Sequence, residues 1–224
     1  RNRSLTFALA VATVVVLARS AVFLIWEHAG FDSDQAIFGL MAKHIVEGRA
    51  FPMFIYGAQY LLGVQAWLAA PLFALFGPAV AVLKVPMVAV NIVAAGLLLW
   101  VLHRDGGLKP WLALLVSAFY VAAPPGIAAS LVETGGGNPE PFLYVLLLWI
   151  LRERPLAFGV VLGFGFLQRE FTAYGAAAIV LLAILDSPRL TTERLRSVAL
   201  AAIGYMFVWQ IAAGARLHSR PARR

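Results

Sequence analysis

Only eleven of the 224 residues are acidic. Two of them, Asp32 and Asp34, stand just beyond the first long apolar run, Leu5–Trp26. A functional reading needs an acid placed where a lipid-borne substrate arrives, and this position supplies it. A purely structural reading competes. Asp32 suits a helix N-cap, and Asp34 in the first turn would complement the helix macrodipole. A second acidic position is the loop Glu133-Thr134-Gly135-Gly136-Gly137-Asn138-Pro139-Glu140. Gly-rich backbone lets polar groups approach a ligand closely. The alternative is a plain turn in which Asn138 caps a helix that has Pro139 at its first position. No Lys-Ser/Thr follows the glycines, so the loop is not a P-loop.

Gln168-Arg169-Glu170 lies between two short apolar runs, and an ionisable cluster at that depth is a functional candidate. The planar donor fork of Arg169 matches phosphate oxygens; an Arg169–Glu170 pair tying two helices is the structural alternative. Arg19 and Lys84 fall inside apolar runs, each within about two turns (roughly 10 Å) of the outer surface. Snorkelling of the charge to the interface accounts for both without function. His28 and His44 have no partners at metal-ligand spacing, so no metal is assigned and no cofactor is called for, although the carboxylates leave a divalent ion open.

The elements that position these groups are membrane helices. The chain is 62% hydrophobic and 13% charged, with a mean hydropathy of +0.84. Soluble domains carry about 45–50% apolar and about 25% charged residues, so lipid faces much of this surface. There is no cysteine, hence no disulfide framework. The net charge of +7 does not point to nucleic acid. The basic residues cluster between apolar runs (Arg1/Arg3, Arg104/Lys109, Arg152/Arg154, Arg189/Arg194/Arg196), as in cytoplasmic loops.

Eight apolar stretches stand out: Leu5–Trp26, Tyr60–Phe76, Ala79–Leu102, Trp111–Leu131, Pro139–Leu151, Pro155–Gln168, Phe171–Leu185 and Val198–Ala215. The first, third and fourth reach the roughly 20 residues that a crossing helix needs. The fifth to seventh are short and are expected to end in a protein-lined cavity. The first run is too long for a signal-peptide core, so it reads as a retained span. The chain starts at Arg1 and stops in Arg-Pro-Ala-Arg-Arg, and reads as the N-terminal part of a longer protein.

Loop charge bears on Tyr60–Phe76, which Gly63, Gln65 and Pro71 interrupt. With a cytoplasmic N-terminus and no crossing there, nine Lys/Arg lie inside and three (Lys43, Arg49, Arg169) outside. A crossing reverses the balance, so the positive-inside rule favours a segment that dips and returns. The tail arginines Arg216, Arg220, Arg223 and Arg224 weigh the other way. Within the resulting external region, Ser33 to Glu47 reads as a surface helix capped by Asp32, with Gln35 as capping-box partner. Its apolar stripe is Ile37, Leu40, Met41 and Ile45, and Gly48 closes it.

The run Phe31-Asp32-Ser33-Asp34-Gln35-Ala36-Ile37-Phe38-Gly39-Leu40-Met41-Ala42, followed by Glu47-Gly48, Phe51-Pro52, Tyr56-Gly57-Ala58-Gln59-Tyr60 and Leu75-Phe76-Gly77, resembles the first external loop of GT-C glycosyltransferases. The pattern is similar to the protein O-mannosyltransferase, aminoarabinose transferase and rhizobial lipopolysaccharide glycosyltransferase-like branches. The resemblance is sharp over about Phe31–Gly77. Where many members have Asp-Glu, this chain has Asp34-Gln35; where some have Lys or His before the dipping helix, it has Gln59.

The resemblance implies an all-α, polytopic GT-C-type membrane domain over residues 1–224. About seven spans are expected, with juxtamembrane helices in an external loop at 27–76. It implies a plasma or inner membrane location, a cytoplasmic N-terminus and an external active site. There a sugar would pass with inversion from a polyprenyl phosphate to a glycan, lipid or protein acceptor. Asp34, with Asp32, would be catalytic, and Gln59, Tyr60, Lys84, Glu133, Glu140 and Arg169 substrate-binding. The rival readings are a transporter or lipid-linked oligosaccharide flippase, and a non-catalytic membrane scaffold. Transporters usually show internal repeats, and none is visible here.

Overall fold

The structure, a computed structural model, describes residues 2–135, 139–186 and 191–218. Arg1, Arg189, Arg220, Arg223 and Arg224 of the loop-charge balance, and the Asn138 cap, lie outside the described residues. Gln59 and Arg216 are described by their backbone alone. The described chain is mostly helical and divides into two compact units, Arg1–Phe51 with Gly63–Pro139, and Pro52–Leu62 with Glu140–Arg224.

The first unit holds α1 (Asn2–Ile25), α2 (Ser33–Val46), α3 (Val64–Phe76), α4 (Val80–Arg104), α5 (Pro110–Val116), α6 (Ala118–Val121) and α7 (Pro125–Val132). In α1 the residues at every fourth position, Ala8, Ala12, Val16 and Ser20, are buried, while Phe7, Val14, Leu17 and Ile25 are exposed. That spacing aligns small side chains on one face, which lets α1 pack closely on α4, where Arg19 meets Asn91 and Leu9 approaches Gly96. The two helices run antiparallel. The amide of Ala81, in the first turn of α4, donates to Glu27 Oε2 at 2.8 Å, just past the end of α1. Residues 26–79 therefore leave and return at one end of the pair. α3, with 13 residues, is about 20 Å long and falls short of the roughly 30 Å hydrocarbon core.

The second unit holds β1 (Phe54–Ile55), β2 (Ala58–Leu62), α8 (Pro139–Ile150, entering at Glu140), α9 (Pro155–Gln168), α10 (Thr172–Asp186) and α11 (Thr192–His218). Leu148, Phe158, Ala176 and Ile179 form its core, flanked by Trp149, Val161, Leu162 and Ala201. α9 and α11 meet at glycines: a Cβ on Gly159 would run into the Ala201 backbone, and one on Gly204 into the Leu156 carbonyl. Small residues at such a crossing are how helices associate without a hydrophobic gradient to drive them.

Three helices are long and apolar enough to cross a membrane, Arg3–Ile25, Val80–Arg104 and Thr192–Ala215, and they mark a membrane protein. The expectation of about seven spans is finer than these three. The fourth apolar stretch is not one continuous span. Ser117 turns its hydroxyl back onto Leu114 O at 2.9 Å and ends α5. Pro124-Pro125 then stops the helix again, because a proline ring cannot continue the ladder.

Tyr60–Phe76 is likewise divided, since its first residues pair in an antiparallel hairpin, Phe54 opposite Leu62 and Ile55 opposite Ala58. Gly57, at φ 83°, makes the tight Tyr56-Gly57 turn between the strands. A purely helical expectation had no place for it. The face of α2 is also turned. Gln35, Phe38, Met41 and Ala42 are buried, whereas Leu40 is exposed. In lipid the outward apolar residues need no protein partner, so the apolar stripe does not identify the packed face.

Candidate functional site

The capping chemistry at α2 is as the sequence expects on one side only. Asp32 Oδ1 accepts from the Gln35 amide at 2.9 Å. The Gln35 side chain does not reach back to the cap. Its Nε2 donates to Gly30 O at 2.6 Å, and its Oε1 accepts from the Thr134 amide at 3.3 Å. Gln35 is fully buried and stitches the start of α2 to the residues after α7. Three further bonds hold the same loop. Thr134 Oγ1 donates to Leu83 O at 3.2 Å, the Gly135 amide to Gln65 Oε1 at 2.7 Å, and Asn91 Nδ2 to Leu131 O at 2.6 Å. Gly135 has φ +94°, and a Cβ there would sit 2.9 Å from Phe38 Cε2. Only glycine fits.

This stitching places Glu133 among the acids of α2. Burial pushes its carboxyl above the ordinary range. The charge of Asp32, a hydrogen bond to Asp32 and the charge of Asp34 add to the effect, while Lys84 opposes it. The hydrogen bond between the Glu133 and Asp32 carboxyls is one of the causes that raise the Glu133 pKa. Asp34 stands beside them in the first turn of α2, exposed to solvent.

Lys84 is 2% exposed, in the second turn of α4. Its ammonium donates to Glu27 O at 2.6 Å, Ala29 O at 3.2 Å and Phe23 O at 3.4 Å. Phe23 lies in the last turn of α1 and Glu27 and Ala29 just beyond it, where helical partners run out, so Lys84 caps α1 from a neighbouring helix. Its three donors are all engaged. It acts on the acids as a buried charge and not as a tip snorkelling to water.

Arg19 also turns inward. Its Nη2 donates to Asn91 Oδ1 at 2.8 Å, and the guanidinium lies 5.7 Å from the centroid of the Tyr120 ring. Tyr120 OH donates to the same Oδ1 at 3.1 Å. Arg19 Nε and Nη1 are buried without a hydrogen-bond partner among the described residues.

The sequence-derived residues thus fall into two groups. Asp32, Asp34, Lys84 and Glu133 come together in the first unit. Gln59, Tyr60, Glu140 and Arg169 belong to the second. There Tyr60 is exposed on β2 and Glu140 is buried in the first turn of α8. Gln168 Nε2 donates to Glu140 Oε1 at 3.3 Å and Tyr144 OH to Gln168 Oε1 at 2.9 Å, so Glu140 sits against the turn that carries Arg169. Arg169 ends α9, its amide donating to Gly165 O at 2.8 Å. Gly136–Asn138 of the glycine loop lie outside the described residues.

Sequence reasoning did not single out Gln35, Gln65, Asn91, Tyr120 or Thr134 as the positioning set. The signal was present for Gln65 and Asn91, polar amides inside otherwise apolar runs, which must find partners there. Among the described residues no group of three or more His, Asp or Glu is arranged to hold a metal ion. Comparison of the chain with protein-family models, curated proteins and solved structures finds no match.

Proposed function

We propose that this membrane protein is a glycosyltransferase that moves a sugar from a polyprenyl phosphate to an acceptor hydroxyl, with Asp34 as the general base. One observation carries the reading. An exposed carboxylate stands beside a second, half-buried carboxyl whose pKa burial and neighbouring acids hold above the ordinary range, at the end of an antiparallel pair of membrane-length helices. In the proposed step the acceptor oxygen bonds to the anomeric carbon, the bond from that carbon to the phosphate oxygen breaks, and Asp34 takes the acceptor proton. Inversion follows from attack opposite the leaving group. The raised pKa of Glu133 favours its neutral form, which limits the negative charge around Asp34 as an anionic lipid donor approaches. Lys84 adds positive charge from behind. GT-C type, multiple spans and an external site are part of this proposal. The resemblance of the Phe31–Gly77 run supports them.

A second reading, movement of a lipid-linked sugar without transfer, draws on the inward-turned Arg19, since ionisable groups within spans also mark transport paths. Reconstituting the chain in vesicles with a labelled polyprenyl-phosphate sugar and an acceptor separates the two. Glycosyl transfer abolished in Asp34→Asn, with Lys43→Gln unaffected, supports the transferase. Transfer at the parental rate in Asp34→Asn removes Asp34 as base. Labelled lipid crossing the bilayer with no product formed favours the second reading.

A further inference from the structure

The first unit is electrically polarised along α1 and α4. Glu27, Asp32, Asp34 and Glu133 gather where α1 ends. The opposite end, where α1 begins and α4 runs out, carries Arg3, Arg104 and Lys109 against the single carboxylate Asp105. Arg104 is occupied there, 3.7 Å from Asp105 and 4.8 Å from the Trp100 ring centroid. Among the described residues, the positive charge of this end therefore rests on Arg3 and Lys109.

Between the first turns of α1 and α5, at this basic end, lies a half-open cleft of about 370 Å³. That is within the range of about 300–1,000 Å³ usual for small-molecule sites. Phe7, Trp111 and Leu114 line it together with Ser4 and Lys109. Phe7 and Trp111 stay largely exposed, at 70% and 62%. A mostly apolar slot lined by an exposed Trp and one exposed lysine suits one lipid chain beside one headgroup. Because Lys109 is the charged residue of the lining, the headgroup that complements it is anionic. Lysine, a compact charge on a flexible stem, suits a phosphate whose position varies.

We infer that this cleft holds one anionic glycerophospholipid of the surrounding leaflet. Its acyl chain lies along Phe7, Trp111 and Leu114, and its phosphate sits on Lys109. The inference is independent of the proposed activity, since it concerns the opposite end of the unit and needs only that the chain resides in a membrane.

Native mass spectrometry of the purified chain, titrated with phosphatidylglycerol and with phosphatidylcholine of the same chains, tests it. One phosphatidylglycerol is expected to be retained in preference to phosphatidylcholine. Lys109→Gln should weaken phosphatidylglycerol about fivefold, the effect of one basic residue at an anionic surface. Ser4→Trp, which fills the cleft without changing charge, should expel the lipid. Arg3→Gln, outside the cleft, should change affinity less than twofold, and excess inorganic phosphate should displace nothing. Equal retention of the two lipids would overturn the inference, as would equal effects of Lys109→Gln and Arg3→Gln or full displacement by inorganic phosphate. Because Lys109→Gln is a surface change, the test stands even if Ser4→Trp does not fold.

Discussion

Replacing Asn91 with Leu tests whether the buried amide organises the first unit. All four hydrogen-bonding positions of this side chain are used. Oδ1 accepts from Arg19 Nη2 (2.8 Å) and Tyr120 OH (3.1 Å), and Nδ2 donates to Met87 O (2.7 Å) and Leu131 O (2.6 Å). Leucine has nearly the same shape, so packing against α1 is kept. Met87 O retains its place in the α4 ladder. Leu131 O, Tyr120 OH and Arg19 Nη2 each lose a partner. Side-chain hydrogen bonds between membrane helices average about 0.6 kcal/mol and reach about 1.7 kcal/mol, so three losses give roughly 2–5 kcal/mol. Reversible unfolding of the purified chain in mixed micelles reads this directly. A companion variant sharpens the test. Arg19 already carries two buried donors without partners among the described residues, so its charge is costly once Asn91 is gone. Arg19→Met in the Asn91→Leu background should therefore restore about 1–2 kcal/mol, a coupling visible only between contacting residues. An Asn91→Leu protein within about 0.5 kcal/mol of the parent, a small surface-like effect, refutes the network. So does a double mutant weaker than the single one.

Two further outcomes follow from the Glu133 loop. A carboxyl whose pKa is raised in the folded state binds its proton more tightly there than in the unfolded chain. Its contribution to stability is present below the unfolded value of about 4.3 and is lost as pH rises through the folded value. The parent should lose stability over that interval, and Glu133→Gln should flatten the profile; unfolding curves at several pH values decide it, an unchanged slope counting against the Asp32 hydrogen bond. Gly135→Ala places a methyl against Phe38 at a φ of +94° and should destabilise by about 1–3 kcal/mol. A thermal melt within error of the parent would mean that the Thr134-Gly135 backbone is not held as described.

Much of the fold was legible because long apolar runs leave few alternatives. α1, α4 and α9 begin and end within a few residues of the stretches marked from hydropathy. Capping by Asp32 was legible too, since an Asp before a helical stripe has one strong use. What hydropathy could not give was direction. In water an apolar stripe points to the core, but lipid accepts the same residues, so Leu40 faces out while Gln35 is buried. Breaks set by a hydroxyl and two prolines, as between α5 and α7, divide a run whose mean hydropathy is unchanged. The hairpin ahead of α3 rests on a Tyr56-Gly57 turn hidden within an apolar segment. For the site, Asp32, Asp34, Lys84 and Glu133 were each visible singly. Their meeting depends on amides at 35, 65 and 91, whose partners are main-chain groups or side chains up to 99 residues away, and no local pattern encodes these.

Gln35 shows how such a partner constrains chemistry. Its amide must both donate, to Gly30 O, and accept, from the Thr134 amide. A glutamate here could accept from Thr134, but once ionised it would set a bare carboxylate against Gly30 O, in a position with no exposed surface. That arrangement is costly because neither water nor a donor offsets the repulsion. Glutamine, and not glutamate, is thus what the hydrogen bonding at this position requires. It also bears on the proposed reaction. With Gln at 35, and with Asp32 capping the Gln35 amide and hydrogen-bonded to Glu133, Asp34 is the exposed carboxylate of the α2 start that takes part in neither bond. A base must present a free lone pair to the acceptor hydroxyl, and among these acids that condition selects Asp34.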